Sequence, residues 1–239
     1  MNRYSYCFTT EIPDWLKPYK NILDDCFDQI DRPTDDKSYL KLSGDKLIWW
    51  DSELGDFEID SFKPEKKPKI LKGKNELMAK ALEIRKSGDL VIDATVGLGK
   101  DSRFLIELGA RVIGCEKDPL VFLLLQSALQ QADKKIQSHF ELHFADCQKF
   151  LINFNSEGSF NIYLDPMFEG ELGSAKPKKS MQVFRKLNLK SDLQILIDAA
   201  LASSAKRVVV KQPLKSREHQ YKVIHCYQGK SVRYDLLSR

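Results

Sequence analysis

The segment FNIYLDPMF, residues 160–168, carries the most informative side chains in the sequence. Its apolar run predicts a buried strand, which is followed at once by Asp165 and Pro166. Because proline lacks an N–H and fixes the direction of the chain, the Asp165 carboxylate and the Pro166 carbonyl can both face a pocket as acceptors. Two such acceptors suit the NH₂ of a nucleobase, whose nitrogen becomes pyramidal as it attacks, and Phe168 can stack on that base. An Asp-Pro turn followed by a core Met-Phe pair is the structural alternative.

Glycines and acids follow the other predicted strands. The loop of residues 93–101, DATVGLGKD, begins with Asp93 and contains Gly97 and Gly99, which allow a sharp turn and a close approach to a ligand. Glu116 follows the next strand and can accept two hydrogen bonds from a ribose diol. Asp146 follows the third strand and can accept one from an adenine amino group, although either acid alone is also a good helix N-cap. Together these positions indicate a site for an adenosine-containing cofactor, either NAD or S-adenosylmethionine.

Other ligand classes fit the sequence less well. The third glycine of a dinucleotide fingerprint is replaced by Ser102, and no Gly-Lys-Ser/Thr stands at P-loop spacing. The five cysteines are scattered without a Cys-x-x-Cys pair. His139 and His143 are four residues apart, but their surroundings alternate like a strand, so we expect no metal site.

The order of predicted elements indicates an α/β fold. From residue 89 onward the strands DLVIDAT, RVIGCE, HFELHFAD, FNIYLD and KRVVVKQ alternate with helical patterns. This alternation is typical of a doubly wound, mostly parallel, Rossmann-like sheet. The final segment YKVIHCYQGKSVRYDLLS predicts an antiparallel hairpin at one edge.

Composition divides the chain into three parts. Residues 1–62 are predicted to form a small α+β unit with a hairpin around Ser43-Gly44-Asp45. Residues 63–74 form a basic linker with six lysines. Residues 75–239 form the larger domain, which begins with an amphipathic helix that should end at Ser87-Gly88.

Charge is distributed unevenly between these parts. Residues 1–62 contain 7 Lys/Arg and 14 Asp/Glu, and the remainder contains 31 and 20. A basic body favours a polyanionic partner. No apolar run approaches the ~18 residues of a membrane span, and the first residues lack the apolar core of a signal peptide, so we expect a cytoplasmic protein with no membrane partner.

Three segments carry a resemblance to a known family. DPMF resembles the Asp/Asn-Pro-Pro-Tyr/Phe signature of amino-directed class I methyltransferases. DATVGLGKDSRFLIELGARVIGCEKDP, YLDPMF with the downstream SAKPKKSMQVF, and RVVVKQP are similar to the ribosomal small subunit methyltransferase J family. The likeness covers about residues 70–239. It implies a class I methyltransferase fold and methylation of the exocyclic N2 amine of a guanosine near the 3′ end of 16S rRNA, with S-adenosylmethionine converted to S-adenosylhomocysteine.

The resemblance also implies a set of cofactor contacts. Carried over by position, they fall on Lys100, Asp101, Glu116, Lys117, Asp146, Cys147 and Asp165. The sequence departs from the family's usual residues at several of these places. Lysine replaces arginine at positions 100 and 117, acid and thiol replace small hydroxyl residues at 146 and 147, and Gln212 stands in KQP where KRP is usual.

The implied partner is small-subunit rRNA or the assembling small subunit, bound by a protein taken as a monomer by default. Flexible cations close to the site can hold phosphates without reading sequence. They are predicted in two basic stretches, which contribute Lys63, Lys66, Lys67, Lys69, Lys72 and Lys74, and then Lys176, Lys178, Lys179 and Arg185.

Three other functions stay open at this point. DPMF also permits an amino-directed methyltransferase that acts on DNA or another RNA. A non-catalytic rRNA-binding factor on a methyltransferase scaffold is a second alternative. An NAD-dependent oxidoreductase is a third, although it would lack the third glycine and an obvious proton relay.

Overall fold

The structure is a computed structural model that describes residues 4–33, 35–63, 74–85, 87–166, 179–187, 193–216 and 220–238, with only the backbone of 74–76. Its strands are β1 (Tyr4–Cys7), β2 (Phe27–Gln29), β3 (Tyr39–Ser43), β4 (Lys46–Trp50), β5 (Leu90–Asp93), β6 (Arg111–Glu116), β7 (Phe140–Phe144), β8 (Phe160–Leu164), β9 (Arg207–Pro213), β10 (Lys222–Gln228) and β11 (Val232–Ser238). Its helices are α1 (Lys20–Cys26), α2 (Lys74–Ala81), α3 (Lys100–Glu107), α4 (Pro119–Gln130), α5 (Lys134–His139), α6 (Cys147–Asn153), α7 (Lys179–Lys186) and α8 (Leu193–Ala202), with a 3₁₀ turn at Lys17–Tyr19.

The chain forms two compact units, which are described separately. Unit 1 contains the described residues of 1–63, 118–132 and 172–190. Unit 2 contains those of 64–117, 133–171 and 191–239. The predicted domain boundaries at residues 62 and 74 stay a prediction. Unit 1 also includes α4 and α7.

Unit 1 is built on a four-stranded sheet in the order β2-β1-β3-β4. The hairpin predicted around Gly44 is present as β3 and β4, which pair antiparallel. Helix α4 packs on β4, where the Leu47 N–H donates to Ser127 Oγ at 2.8 Å. Every residue of α4 from Pro119 to Leu129 is buried, which explains why its sequence is apolar on all faces.

A buried carboxylate joins α7 to the same unit. Asp51 is fully buried and accepts hydrogen bonds from the Ser38 hydroxyl, from two backbone N–H groups and from Lys186 Nζ, the last at 2.7 Å. Burial alone acts to raise the pKa of Asp51, but these bonds outweigh it and lower the pKa to about 2. At the other end of α7, Lys179 Nζ donates to the Asp56 carbonyl at 2.5 Å.

Unit 2 contains a seven-stranded sheet in the order β10-β11-β9-β8-β5-β6-β7. All neighbours from β9 to β7 pair in parallel, whereas β11 is antiparallel to both β9 and β10. The predicted doubly wound sheet with a C-terminal hairpin at one edge is therefore confirmed. Strands β5 and β8 lie side by side, but the chain leaves β5 toward β6 and leaves β8 toward β9. Ligands of open α/β sheets bind outside the carboxyl ends of the strands at such a switch point, and we call this place, beyond the ends of β5 and β8, the crevice.

The predicted end of the first amphipathic helix is wrong. Helix α2 ends at Ala81 rather than at Ser87-Gly88, because Glu83 adopts the left-handed conformation with φ 52°. The Glu83 carboxylate accepts from Lys206 Nζ at 2.5 Å and pairs with Arg207 at 3.3 Å. These two cations from the start of β9 hold Glu83 in a backbone conformation that costs energy for a residue with a Cβ.

Several elements were absent from the sequence prediction. They are the strands β1 and β2 and the helices α1, α5 and α7, each of eight residues or fewer. His139, placed with the third strand of the large domain by its alternation, is the last residue of α5, and β7 begins at Phe140. None of the helices in the described ranges is long and apolar enough to cross a membrane.

Candidate active site

The loop after β5 begins with a buried carboxylate. Asp93 Oδ2 accepts from the Ser102 hydroxyl at 2.5 Å, and Oδ1 accepts from the Thr95 N–H at 3.1 Å. Burial raises the pKa of Asp93 to about 6, and the nearby charge of Asp101 adds to that effect. Ser102 stands where a dinucleotide fingerprint has its third glycine, and in this protein it is a hydrogen-bond donor that fixes Asp93.

Glycine is required within this loop and in the neighbouring strand β6. Gly97 and Gly99 have φ values of 53° and 73°, and the Gly99 N–H donates to the Val96 carbonyl at 2.8 Å as α3 begins. A Cβ at Gly114 in β6 would lie 2.5 Å from Val96 Cγ2, so the loop rests on β6 only because that position has no side chain. Lys100, the first residue of α3, is exposed. The backbone of the loop therefore turns closely over the sheet, as the sequence predicted.

A side chain ties the end of β8 to the same loop. The Asp165 backbone N–H donates to Thr95 Oγ1 at 2.6 Å. The side chain of Asp165 is 35% exposed. Pro166 is half-buried and ends this described range, and Phe168 lies outside the described residues. Asp165 therefore lies at the crevice, directly after β8.

A lysine from β9 joins two carboxylates in the crevice. Lys211 Nζ donates to Asp165 Oδ2 at 2.6 Å and to Asp101 Oδ2 at 2.8 Å. Asp101 Oδ2 also accepts from the Tyr163 hydroxyl at 2.6 Å, so both carboxyl groups share the ammonium of Lys211. One charged cluster is therefore formed, with residues from α3, β8, β9 and the segment after β8. We call Asp101, Asp165 and Lys211 the carboxylate–lysine cluster.

The two carboxylates of the cluster have different acidities. Burial raises the pKa of Asp165 to about 7, with a further rise from the charge of Asp101 and an opposing effect of Lys211. Burial also acts to raise the pKa of Asp101, but the ammonium of Lys211 and the hydrogen bonds to Asp101 outweigh it and lower that pKa. Burial acts to lower the pKa of Lys211, and both carboxylates more than reverse this. The shared lysine and the two carboxyl charges therefore leave the pKa values of Asp165 and Asp101 shifted in opposite directions.

Lys211, Thr95, Tyr163 and Ser102 were not predicted as site residues. Lys211 follows three valines in VVVKQP, and a lysine at the carboxyl end of a buried parallel strand is the signal that could have identified it. The contacts of the other three depend on pairings between distant segments. No local pattern in the sequence marks them.

The other predicted cofactor contacts lie at the ends of β6 and β7. Glu116 is half-buried, and its carbonyl accepts from the Ala145 N–H at 3.0 Å, which brings these two strand ends together. Asp146 caps α6 through the Gln148 N–H at 3.0 Å. Lys117 is exposed.

Cys147 has a buried side chain. Its thiol is hydrogen-bonded to Cys115, and this bond, together with burial, raises the pKa of Cys147. A ligand contact of Cys147 therefore requires its backbone N–H. Because Cys147 is the first residue of α6, this N–H has no intrahelical partner.

An adenosine cofactor with an amino-acid tail fits this arrangement of groups. Glu116 was predicted as the acceptor for a ribose diol, and Asp146, whose Oδ1 caps α6, as the acceptor for an adenine amino group. These assignments to individual residues stay predictions.

The predicted RNA-binding residues that the structure describes belong to unit 1. Lys63 Nζ donates to Glu58 at 2.5 Å, and Lys179 is bonded to the Asp56 carbonyl as noted above. Arg185 is exposed. The remaining predicted side chains, those of Lys66, Lys67, Lys69, Lys72, Lys74, Lys176 and Lys178, lie outside the described part.

Comparison with known proteins assigns the family. A family model described as "Putative SAM-dependent methyltransferase" matches residues 51–239. The chain is 43% identical over 168 residues to the ribosomal RNA small subunit methyltransferase J of Bdellovibrio bacteriovorus, which covers 69% of this chain and 66% of that protein, slightly under two thirds. It is 37% identical over 174 residues to the protein of the same name from Histophilus somni, covering 69% and 68%.

A solved structure agrees with this assignment. The crystal structure of a SAM-dependent methyltransferase from Neisseria gonorrhoeae superposes with a TM-score of 0.73 at 25% identity and covers 97% of this chain and 94% of that one. The resemblance predicted from DPMF and its companion segments is therefore confirmed. The chain belongs to the SAM-dependent methyltransferases and, among them, to the family of ribosomal RNA small subunit methyltransferase J.

Proposed function

We propose that this enzyme methylates the exocyclic N2 amine of a guanosine near the 3′ end of 16S rRNA. The observation that carries the proposal is the position of Asp165 directly after β8, where its backbone N–H donates to Thr95 and its carboxylate accepts from Lys211. The names of the relatives support ribosomal RNA as the substrate. A ribosomal substrate would place the enzyme in the cytoplasm, where ribosomal subunits are assembled.

Cofactor binding is assigned to the ends of β5, β6 and β7. Bound S-adenosylmethionine supplies an activated sulfonium methyl group, so the protein need only align donor and acceptor, which is worth ~7 kcal/mol or more. Glu116 would hold the ribose hydroxyls, and Asp146 the adenine amino group. Asp93 and the turn at Gly97 and Gly99 would orient the amino-acid tail.

Asp165 and Pro166 are assigned to the acceptor amine. A guanine amine is a poor nucleophile because its lone pair is delocalised into the ring. The Asp165 carboxylate and the Pro166 carbonyl would accept hydrogen bonds from the two amine hydrogens. These bonds favour the pyramidal nitrogen of the transition state over the flat ground state. With a pKa of about 7, Asp165 is partly ionised near neutral pH and can accept a hydrogen bond.

The target base must leave any helix in which it is paired. The N2 amine lies in the minor groove of paired RNA, so extrusion would cost a few kcal/mol. Phe168 is proposed to stack on the extruded base. The two basic stretches would contribute phosphate contacts, and Lys63 and Lys179 would have to exchange their present partners to do so. Affinity for RNA should then fall steeply with salt.

The experiment that tests the proposed function compares Asp165→Ala with the parent enzyme on small-subunit rRNA from cells that lack this gene. Loss of a transition-state contact should cost ~2 kcal/mol or more, or a rate loss greater than about tenfold. Asp198→Ala is the matched control, because this acid lies on α8 and bonds Tyr221 instead. Mass spectrometry of the product identifies the methylated nucleotide.

Three outcomes would contradict the proposal. If Asp165→Ala methylates rRNA at a rate within about tenfold of the parent rate, the role assigned to Asp165 is wrong. Transfer of label to duplex DNA and not to rRNA would favour the DNA-directed alternative. Absence of heat on titration with S-adenosylmethionine would favour a non-catalytic factor.

A further inference from the structure

The carboxylate–lysine cluster contains more ionisable groups than substrate alignment requires. The acceptors assigned to the amine are the Asp165 carboxylate and the Pro166 carbonyl. The structure adds a second carboxylate, Asp101, and a lysine that bonds both Asp101 and Asp165.

We propose that Lys211 is a positioning residue that holds Asp165 and Asp101 as one carboxyl pair, and that this pair takes up the proton released from the methylated amine. The inference rests on the proposed function and deepens it. In the transfer, the acceptor nitrogen bonds the methyl carbon, the electron pair of the broken C–S bond stays with sulfur, and one N–H proton must leave the nitrogen. That proton passes to an Asp165 carboxylate oxygen and is then shared with Asp101.

The charge balance of the cluster favours this uptake. With both carboxylates ionised and Lys211 protonated, the three groups carry one net negative charge. Uptake of a single proton makes the cluster neutral. Two carboxyl groups in contact cannot both ionise easily, and they titrate as a pair rather than as separate sites.

Geometry assigns the positioning role to Lys211. Its Nζ lies 2.6 Å and 2.8 Å from oxygens of residues that belong to different segments, and the side chain is 22% exposed. A lysine in this partly buried position gives little net stability, because desolvation offsets its ion pairs. Its position at the strand end is therefore better explained by control of the two carboxylates.

The other titratable groups that face the cluster are Tyr163 from β8, Tyr234 from β11 and Asp93 from β5. Tyr163 donates to Asp101, and Tyr234 lies opposite Lys211 in the pairing of β11 with β9. Burial raises the pKa of both tyrosines, that of Tyr234 to about 12, so both stay protonated at neutral pH. Asp93 is bonded to Ser102 and Thr95 rather than to the pair.

The test uses Lys211→Met, which removes the charge, Lys211→Arg, which keeps it, and Asp101→Asn. Lys206→Met is the matched control, because Lys206 bonds Glu83 at the start of the same strand. The first measurement is the NMR titration of isotope-labelled aspartate in the free protein, with Asp165→Asn for assignment. The second is the pH dependence of kcat with rRNA and cofactor saturating.

The charge changes should move the titrations in opposite directions. Removal of the ammonium should raise the apparent pKa of Asp165 by about one unit or more and move the acidic limb of kcat to higher pH. Asp101→Asn removes a like charge, so it should lower the pKa of Asp165 and move that limb to lower pH. Lys211→Arg and Lys206→Met should leave both near the parent values.

The inference would be overturned if folded Lys211→Met kept the parent pKa of Asp165 and the parent acidic limb of kcat. It would also be overturned if the acidic limb of kcat moved equally in Lys206→Met. If Lys211→Met does not fold, Asp101→Asn still tests the inference, because an Asp165 pKa that does not fall in this variant relative to the parent and Lys211→Arg would overturn it. Failure of the parent enzyme to methylate rRNA would instead overturn the proposed function. The NMR titration, which needs no substrate, would still decide whether Lys211 controls the pair.

Discussion

Asp93→Asn should change the stability of unit 2 in a way that reverses with pH. The carboxylate is about 1% exposed, and burial raises its pKa to about 6, against about 3.9 in an unfolded chain. Between these values the folded state binds more protons than the unfolded state, so stability falls as pH rises. A difference of about two pKa units corresponds to roughly 3 kcal/mol, lost progressively from about pH 4 to pH 6 and absent from the asparagine variant.

The amide also changes the hydrogen bonds. Asparagine has one acceptor oxygen where Asp93 uses two, for the Ser102 hydroxyl and the Thr95 N–H, and loss of one bond costs about 1 kcal/mol. The variant should therefore be less stable than the parent by about 1 kcal/mol near pH 4 and more stable by about 2 kcal/mol near pH 8.

Urea unfolding followed by far-UV circular dichroism measures this difference across the pH range. Tryptophan fluorescence is unsuitable, since Trp15, Trp49 and Trp50 all lie in unit 1. Hydrogen exchange of the β5 amides supplies a second measurement within unit 2. Asp198→Asn on α8 is the control and should show a small difference at every pH. A stability difference between Asp93→Asn and the parent that is the same near pH 4 and near pH 8 would refute the reasoning.

Two further predictions concern single contacts. Thr95→Val removes the acceptor of the Asp165 N–H, so it should destabilise unit 2 by about 1–3 kcal/mol and lower kcat. Thr95→Ser keeps the hydroxyl and should restore most of the stability and of kcat. Equal losses in the two variants, measured by urea unfolding and turnover, would exclude a role for the hydroxyl. The pKa of Asp51 is lowered to about 2, so its ionised form should contribute roughly 2 kcal/mol above about pH 4 that is lost as pH falls toward 2. Asp51→Asn and Lys186→Met should both lose that contribution near neutral pH, and thermal unfolding that shows parent-like stability in both would contradict the assignment.

The sequence predicted the sheet of unit 2 and the acids that follow its strands. Alternating strands and helices identify a parallel sheet, and the carboxyl ends of parallel strands meet at one edge. The acids at positions 93, 116 and 165 could therefore be placed near each other from their positions after strands.

Features that depend on distant partners were not predictable in this way. Helix α2 ends early because of a cation 123 residues away, Lys206, which bonds Glu83. The role of Lys211 depends on the convergence of α3, β8 and β9 at one point, and a lysine in an apolar strand does not indicate which acids it will meet. The pairing of α7 with Asp51 joins residues of opposite charge that no local periodicity connects.

The burial of α4 in unit 1 has a consequence for protein engineering. A gene that started at residue 64 would still encode this helix but would delete β4, on which it packs, along with the Leu47 N–H that Ser127 accepts. The apolar face of α4 that packs on β4 would then meet solvent, and we expect such a truncated enzyme to aggregate on expression. Shortening this methyltransferase from its amino end would therefore require redesign of a helix encoded more than fifty codons downstream of the cut.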